Sequence, residues 1–121
     1  MDLFGSDLAL MSRLMSVATK RHEVTAMNLA NINVPEFRAR TLRFEEDFQQ
    51  ALREGGADKA LTVRAQVEVD EDAPIKADGN SVHLEREFAL MQKNQLLYGV
   101  WSTIMKKKLD HIRMAISGGN R

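Results

Sequence analysis

The sequence has no cysteine, and it contains only two prolines, one tryptophan and one tyrosine among 121 residues. Without cysteine the chain has no disulfide and no thiolate nucleophile, so it suits an oxidising or a reducing compartment equally. It also has no excess charge, because 17 basic and 17 acidic side chains cancel. A balanced charge gives no overall basic field for nucleic acid or for an anionic membrane surface.

Long apolar runs are missing as well. No stretch approaches the roughly 20 apolar residues that a helix needs to cross a bilayer. The first residues, MDLFGSDLAL, carry acids where a cleaved secretory signal carries a positive segment. We therefore expect a chain that is not embedded in a membrane and is not exported by the common cleaved-signal route.

The charge that is present is unevenly distributed. Residues 1–40 carry five basic and four acidic side chains, residues 41–80 carry five and ten, and residues 81–121 carry seven and three. An acidic middle between a near-neutral and a basic arm makes head-to-tail or arm-to-middle contacts electrostatically plausible, although such charge steers encounters more than it sets affinity.

Nothing in the sequence indicates an enzyme. There is no nucleophile beside a base, no glycine-rich phosphate loop and no carboxylate pair singled out by context, and Asp70–Asp72 read as a solvated turn. His83 and Glu87 have the spacing of two metal ligands, but no third is indicated. Lys106–Lys108 lack an aromatic platform for nucleic acid. We predict no catalytic residue, no cofactor, no metal, no small-molecule substrate and no nucleic-acid partner.

Both ends of the chain have the apolar spacing of long amphipathic helices. In the N-terminal arm a heptad seam recurs at steps of four and three, and a second apolar row, Leu10, Leu14, Val17, Val24 and Met27, lets the helix touch more than one neighbour. The seam consists of Phe4, Leu8, Met11, Met15, Ala18, His22, Thr25 and Leu29.

The C-terminal arm repeats this spacing. Asn80 or Ser81 is its expected N-cap, and Gly118-Gly119 its expected end. Apolar seams left in water forgo on the order of 10 kcal/mol per helix, so each arm needs a partner, either the other arm or another molecule. The seam consists of Leu84, Phe88, Met91, Gln95, Tyr98, Ser102, Met105, Leu109, Ile112 and Ile116.

The middle of the chain has shorter patterns. LRFEEDFQQALREGG predicts a short helix that stops at Gly55-Gly56, and LTVRAQVEV, residues 61–69, alternates like a half-buried strand. We therefore predict a mainly α fold, in which long N- and C-terminal amphipathic helices form a coiled-coil-like arm pair beside a small irregular middle of a short helix and one or two strands. The expected divisions are an N-terminal assembly helix (1–33), a strap and middle region (34–80) and a C-terminal assembly helix (81–121).

The stretch NLANINVPEFRAR ends the first helix abruptly. Pro35 disfavours helical geometry at Val34, so the helix must stop by about Asn33 and continue as an extended strap rich in hydrogen bonds. A plain helix terminus explains Pro35 and one asparagine, but not three asparagines and two arginines together.

These residues resemble the N-terminal signature of the flagellar rod and hook family of axial proteins, and DGNSVHLEREFALMQKNQLLYGV resembles the segment that opens the last helix of a proximal rod protein in that family. Two positions depart from the pattern: Glu36 replaces a usual glycine, and His83 a usual aspartate. The residues that match the N-terminal signature are Asn28, Ala30, Asn31, Asn33, Pro35, Phe37 and Arg38.

The resemblance implies a structural subunit of the bacterial flagellar basal-body rod, which polymerises through its terminal helices. It implies type III export through the flagellar export apparatus and a place in the periplasmic rod, with contacts to other copies, to other rod proteins and to FliE near the inner-membrane ring. Phe4 and Leu8 resemble an aromatic-x-x-x-hydrophobic element that engages the export gate, although they also fit the first two seam positions. The alternative is a soluble coiled-coil interaction or regulatory module that forms a closed oligomer.

Overall fold

A computed structural model describes residues 3–118, with side chains from Gly5 onward. The helix α1 (Leu3–Ala30) is followed by the strand β1 (Arg40–Arg43), the helix α2 (Glu45–Ala60), the strand β2 (Gln66–Val69) and the helix α3 (Leu84–Gly118). The predicted fold class, two long terminal helices around a small mixed middle, is confirmed.

The two long helices pair with each other within one chain, in antiparallel orientation. Contacts at three levels define their register: Lys108 reaches Asp7 at 2.8 Å, the Asn94 amide donates to the Ala18 carbonyl at 2.7 Å, and the Asn28 amide donates to Glu87 at 3.2 Å. The structure thus answers a question that the sequence left open, since each arm finds its first partner in the other arm.

The second apolar row of α1 faces the middle of the chain. Val17 and Val24 are buried against Leu42, Phe44 and Phe48, with Leu10 and Leu14 packed at the edge of this cluster. The rings of Phe44 and Phe48 stack at 5.0 Å between centroids. The first helix therefore lies between α3 on one side and the middle region on the other, as its two apolar rows predict.

The small sheet differs from the prediction. The strand predicted over residues 61–69 is shortened to β2, and its antiparallel partner β1 comes from the strap, with Arg40 opposite Val69 and Arg43 opposite Gln66. Leu42 was expected to start the short helix. Pairing with β2 holds it in extended geometry instead, because tertiary contacts outweigh the weak local preference of so short a segment.

The short helix is also displaced from its expected bounds. It begins at Glu45 and continues to Ala60, past the predicted stop. Gly56 nevertheless breaks it, because its φ of +70° and ψ of −160° are not helical. The helix resumes for one turn, and Ala60 is buried in the main cluster, which explains why the chain returns to helix after the glycines.

Within residues 3–118, no helix combines the length and apolarity that crossing a membrane requires.

Candidate assembly site

Asn28 lies in the last turn of α1, ahead of the strap, and is buried to 1% exposure. Its amide donates to the Arg40 carbonyl at 2.8 Å, and its Oδ1 accepts from the Arg40 backbone N–H at 2.9 Å. The same amide donates to Glu87 of α3. One side chain therefore joins the end of α1, the start of β1 and the start of α3, and both of its polar ends are satisfied where water is excluded.

Asn80 holds the strap from the other side. It is fully buried, and its amide donates to the carbonyls of Asn31 at 2.9 Å and Val34 at 2.7 Å, while its Oδ1 accepts from the Val82 N–H. The Asn31 amide bonds back to the Met27 carbonyl at 2.8 Å, adding a second bond to an oxygen that also accepts from the Asn31 backbone N–H at 3.2 Å. Asn28, Asn31 and Asn80 thus serve mainly as partners of backbone groups.

Glu36 adopts the conformation for which the family usually has glycine. Its φ is +66°, and the Phe37 N–H bonds to the Val34 carbonyl at 3.2 Å. With Pro35 ahead of it, this is the signature of a type II turn. Gly79 packs against this turn at a φ of +82°, so close that an added Cβ would lie 3.1 Å from the Glu36 Cα. The turn persists although a side chain occupies the left-handed position.

Replacing Glu36 with glycine is expected to raise the free energy of unfolding by roughly 1 kcal/mol, because a left-handed non-glycine residue costs more than the extra chain entropy of glycine. Urea unfolding followed by circular dichroism measures this. Asp72→Gly is the control, since it removes an exposed acid from a turn position without a positive φ, and we expect it to give no gain in the free energy of unfolding. If Glu36→Gly were no more stable than the wild type, the backbone of Glu36 would not be strained by its left-handed conformation.

The rest of the strap packs against residues 80–82. The Ser81 N–H donates to the Phe37 carbonyl at 2.9 Å, and the Ser81 hydroxyl accepts from the Ala39 N–H at 2.7 Å. Phe37 lies against a small buried cluster of Ala39, Ala73 and Val82. Neither of the expected caps therefore serves α3, which starts later, at Leu84, because Asn80 and Ser81 are engaged with the strap.

The remaining motif residues lie at the surface. Ala30, Asn33 and Pro35 are exposed, and Arg38 makes an ion pair with Glu71 at 3.4 Å. Of the seven signature residues, Asn28, Asn31 and Phe37 hold the strap together. Arg38 is half-buried and ties the strap to Glu71, whereas Ala30, Asn33 and Pro35 are exposed, and the role of these four in assembly stays a prediction.

Glu87 is the unexpected residue of this site. It is 2% exposed; its Oε1 accepts from Asn28, and its Oε2 has no hydrogen-bond partner among the described residues. Burial raises the pKa of this carboxyl above its ordinary value of 4.5, and the hydrogen bond from Asn28 only partly opposes that shift. Glu87 lies in the first turn of α3, where acidic residues are common at the surface, and no sequence signal marks it as buried.

Glu87→Gln is expected to stabilise the fold at pH 7 by on the order of 1 kcal/mol, because it removes the charge from a buried site. With a folded pKa above the unfolded one, the native state binds more protons between the two values. Wild-type stability therefore falls as the pH rises from 4.5 through the raised pKa. The variant should lose this slope, which urea unfolding between pH 4 and 8 measures. If the free energy of unfolding of the variant fell with pH as steeply as that of the wild type, Glu87 would not be the source of the pH dependence.

The neighbouring charges are paired rather than arranged around a metal. Asp70, expected in a solvated turn, is buried and accepts from Arg86 at 2.8 Å, which ties the end of β2 to α3. The His83 ring bonds to the Pro74 carbonyl at 2.7 Å, so Nε2 carries the proton. Among the described residues, no three His, Asp or Glu side chains form a group that could hold a metal ion.

The face that α3 turns toward α1 is not the predicted seam alone. The buried residues of α3 are Glu87 and Asn94, both polar. The predicted seam residues Met91, Met105 and Ile112 are half-buried, while Gln95 and the large apolar members are exposed. Those apolar members, with their exposed fractions, are Leu84 49%, Phe88 48%, Tyr98 41%, Leu109 41% and Ile116 63%.

On α1 the predicted seam residues Leu8, Met11, Met15 and Leu29 are half-buried. The candidate export element falls partly outside the described side chains. Leu8 lies within α1, and the backbone at Phe4 is helical, but the Phe4 side chain is not among those described.

Comparison with known proteins shows relatives along nearly the whole chain, although no family model matches it. The chain is 29% identical over 115 residues to the flagellar basal body rod protein FlgB of Aeromonas hydrophila. This alignment covers 86% of the chain and 87% of the relative. The chain is a relative of FlgB. The FlgB proteins of Borrelia hermsii (25% over 134 residues) and Salmonella typhimurium (23% over 137 residues) match 96% and 99% of this chain and 99% of their own lengths.

The similarity to FlgB includes the middle region as well as the two arms. The resemblance that the two motifs indicate is therefore confirmed. The two stretches of sequence on which that resemblance rests meet in the structure, because Asn28 donates to Glu87 and Asn80 donates to the Asn31 carbonyl.

Proposed function

We propose that this chain is a structural subunit of the bacterial flagellar basal-body rod, and that it polymerises through its terminal helices into the drive shaft that passes torque from the inner-membrane ring to the hook. The full-length similarity to FlgB proteins carries this proposal. A structural, non-catalytic role agrees with a site built from backbone hydrogen bonds and packing contacts.

The surface of α3 supports polymerisation. Leu96 is 70% exposed, Met114 69% and Ile116 63%, although α3 already packs on α1. Fully burying one such side chain contributes about 1.5–3 kcal/mol. Apolar surface of this extent along one long helix is typical of a protein-interaction face, and we propose that neighbouring subunits cover it.

The same proposal includes partners and location. The subunit contacts other copies of itself, other rod proteins and FliE, and it reaches the periplasmic rod through the flagellar export apparatus without a cleaved signal.

Electron imaging of envelopes tests the proposal, using a strain of the source bacterium that lacks this gene and the same strain complemented with it. We expect rods, hooks and filaments to be missing in the deletion strain and restored by the wild-type gene. Intact flagella in a strain without a second copy of the gene would overturn the proposal. A discrete two- or four-chain particle of the purified protein would then favour the closed coiled-coil module.

A further inference from the structure

The two ends of the helix pair both present apolar side chains without a partner in the described chain. One end, here called the strap end, comprises residues 31–38 and 70–88, and it exposes Val34 by 45%, Ile75 by 58% and Phe88 by 48%. The other, here called the basic end, comprises residues 106–118 of α3 and exposes Met114 by 69%.

Charge distinguishes these two apolar surfaces. Residues 70–88 contain six acids and two bases, a net charge of −4, and residues 106–118 contain four bases and one acid, a net charge of +3. Several of these charged side chains make no ion pair within the part of the chain that the structure describes. At the strap end Glu36 and Asp72 are exposed and make no ion pair with a described residue, and the same holds for Lys106, Lys107 and Arg113 at the basic end.

The two surfaces cannot meet within one copy. From Leu84 to Arg113 the chain runs along a single helix, which at about 1.5 Å per residue separates them by roughly 43 Å. The contacts Asn28–Glu87 and Lys108–Asp7 hold α1 antiparallel to α3, so the strap lies at one end of the pair and the basic residues at the opposite end.

We propose that the basic end of one copy packs against the strap end of the next, apolar surface on apolar surface, with Lys106 and Lys107 facing the acids around Glu36 and Asp72. This inference rests on the proposed rod function and names the contact that propagates the assembly. Such a contact joins two different surfaces, so a row of copies has an unoccupied strap end at one terminus and an unoccupied basic end at the other. Further copies can therefore add by the same contact, and all of them point in the same direction. Complementary charge also disfavours the reverse, end-to-same-end contact.

Cross-linking tests the geometry directly, because the chain has no cysteine of its own. We introduce Ala77→Cys at the strap end and Ser117→Cys at the basic end, both at exposed positions, and treat the purified chain with a short bismaleimide. A head-to-tail contact yields a ladder of dimers, trimers and longer species. Each single-cysteine variant stops at dimers, and the control pair Ala77→Cys with Gln49→Cys, on exposed α2, gives no ladder.

Charge reversal tests the pairing. In the two-cysteine background, Lys106→Glu with Lys107→Glu should lower the yield of trimers and longer species about tenfold, and Glu36→Lys with Asp72→Lys should do the same. Combining all four changes should restore the ladder. The matched control reverses Arg53 and Arg64, two exposed cations of the middle region, and should leave the ladder intact. Circular dichroism melting verifies that each variant is folded.

The outcomes separate this contact from the rod function. If complementation restores flagella but no ladder forms at any concentration, or the four-fold combination fails to restore it, the head-to-tail contact is wrong and the rod function stands. If the ladder forms and responds to charge while the deletion strain keeps its flagella, the contact stands and the rod function is wrong.

Discussion

Replacing Asn28 with alanine is expected to lower the free energy of unfolding by about 2–4 kcal/mol, the largest stability effect we expect from a single signature residue. The change removes both hydrogen bonds to the Arg40 backbone and the bond to Glu87. It leaves the Arg40 N–H and the Glu87 carboxylate without these partners in a buried site, so the loss exceeds that of three exposed bonds. Urea unfolding monitored by circular dichroism measures the change.

Asn33→Ala is the matched control, because Asn33 belongs to the same signature, is exposed, and makes no side-chain hydrogen bond with a described residue. We expect it to change the free energy of unfolding by less than about 0.5 kcal/mol. The comparison separates the asparagine that holds the strap from the asparagine that faces outward. Equal effects of the two substitutions would contradict the assigned contacts.

Leu109→Glu is expected to abolish rod assembly while the monomer stays folded. Leu109 is 41% exposed in the single chain, so the substituted carboxylate keeps access to water there. We propose that neighbouring subunits cover this face in the assembly. An unpaired charge buried there costs roughly 3 kcal/mol or more at each interface. Electron imaging of a deletion strain that expresses the variant should show no rods, and circular dichroism of the purified variant should show the wild-type helix content.

Gln92→Glu controls for added charge, since Gln92 is exposed on the same helix and already polar. It should support normal rods at the same expression level. Normal rods with Leu109→Glu would refute the assignment of Leu109 to a covered seam. An unfolded Leu109→Glu monomer would instead show that the contacts of Leu109 within the chain dominate; in that case Ile116→Glu, seven residues further along the same seam at a position 63% exposed, tests the same face.

The long helices follow from local sequence alone. Apolar steps of four and three over 28 and 35 residues leave few alternatives to two amphipathic helices. Pro35 ends the first of them for a steric reason that needs no tertiary information. The two apolar rows of the N-terminal arm likewise predict two neighbours, and the structure places the middle region against the second row.

Short segments were predictable only in part. The four residues of β1 have no strong strand pattern, and they become a strand because β2 lies beside them. The break at Gly56 follows from its sequence, but the extra helical turn after it depends on burial of Ala60 in the main cluster. Segments of four or five residues carry too little local preference to decide their own structure.

Three features therefore follow from the sequence alone. Apolar periodicity determined the two long helices, Pro35 determined the end of the first one, and the two motifs determined the resemblance to FlgB. The tertiary structure decided which face of each helix is used within the chain. Hydrophobic spacing marks apolar seams, whereas the residues of α3 buried against α1 are polar, Glu87 and Asn94. A polar side chain can be buried only where a partner from elsewhere in the chain meets it, as Asn28 and the Ala18 carbonyl do here. Because those partners lie 59 and 76 residues away, no local pattern could have revealed them.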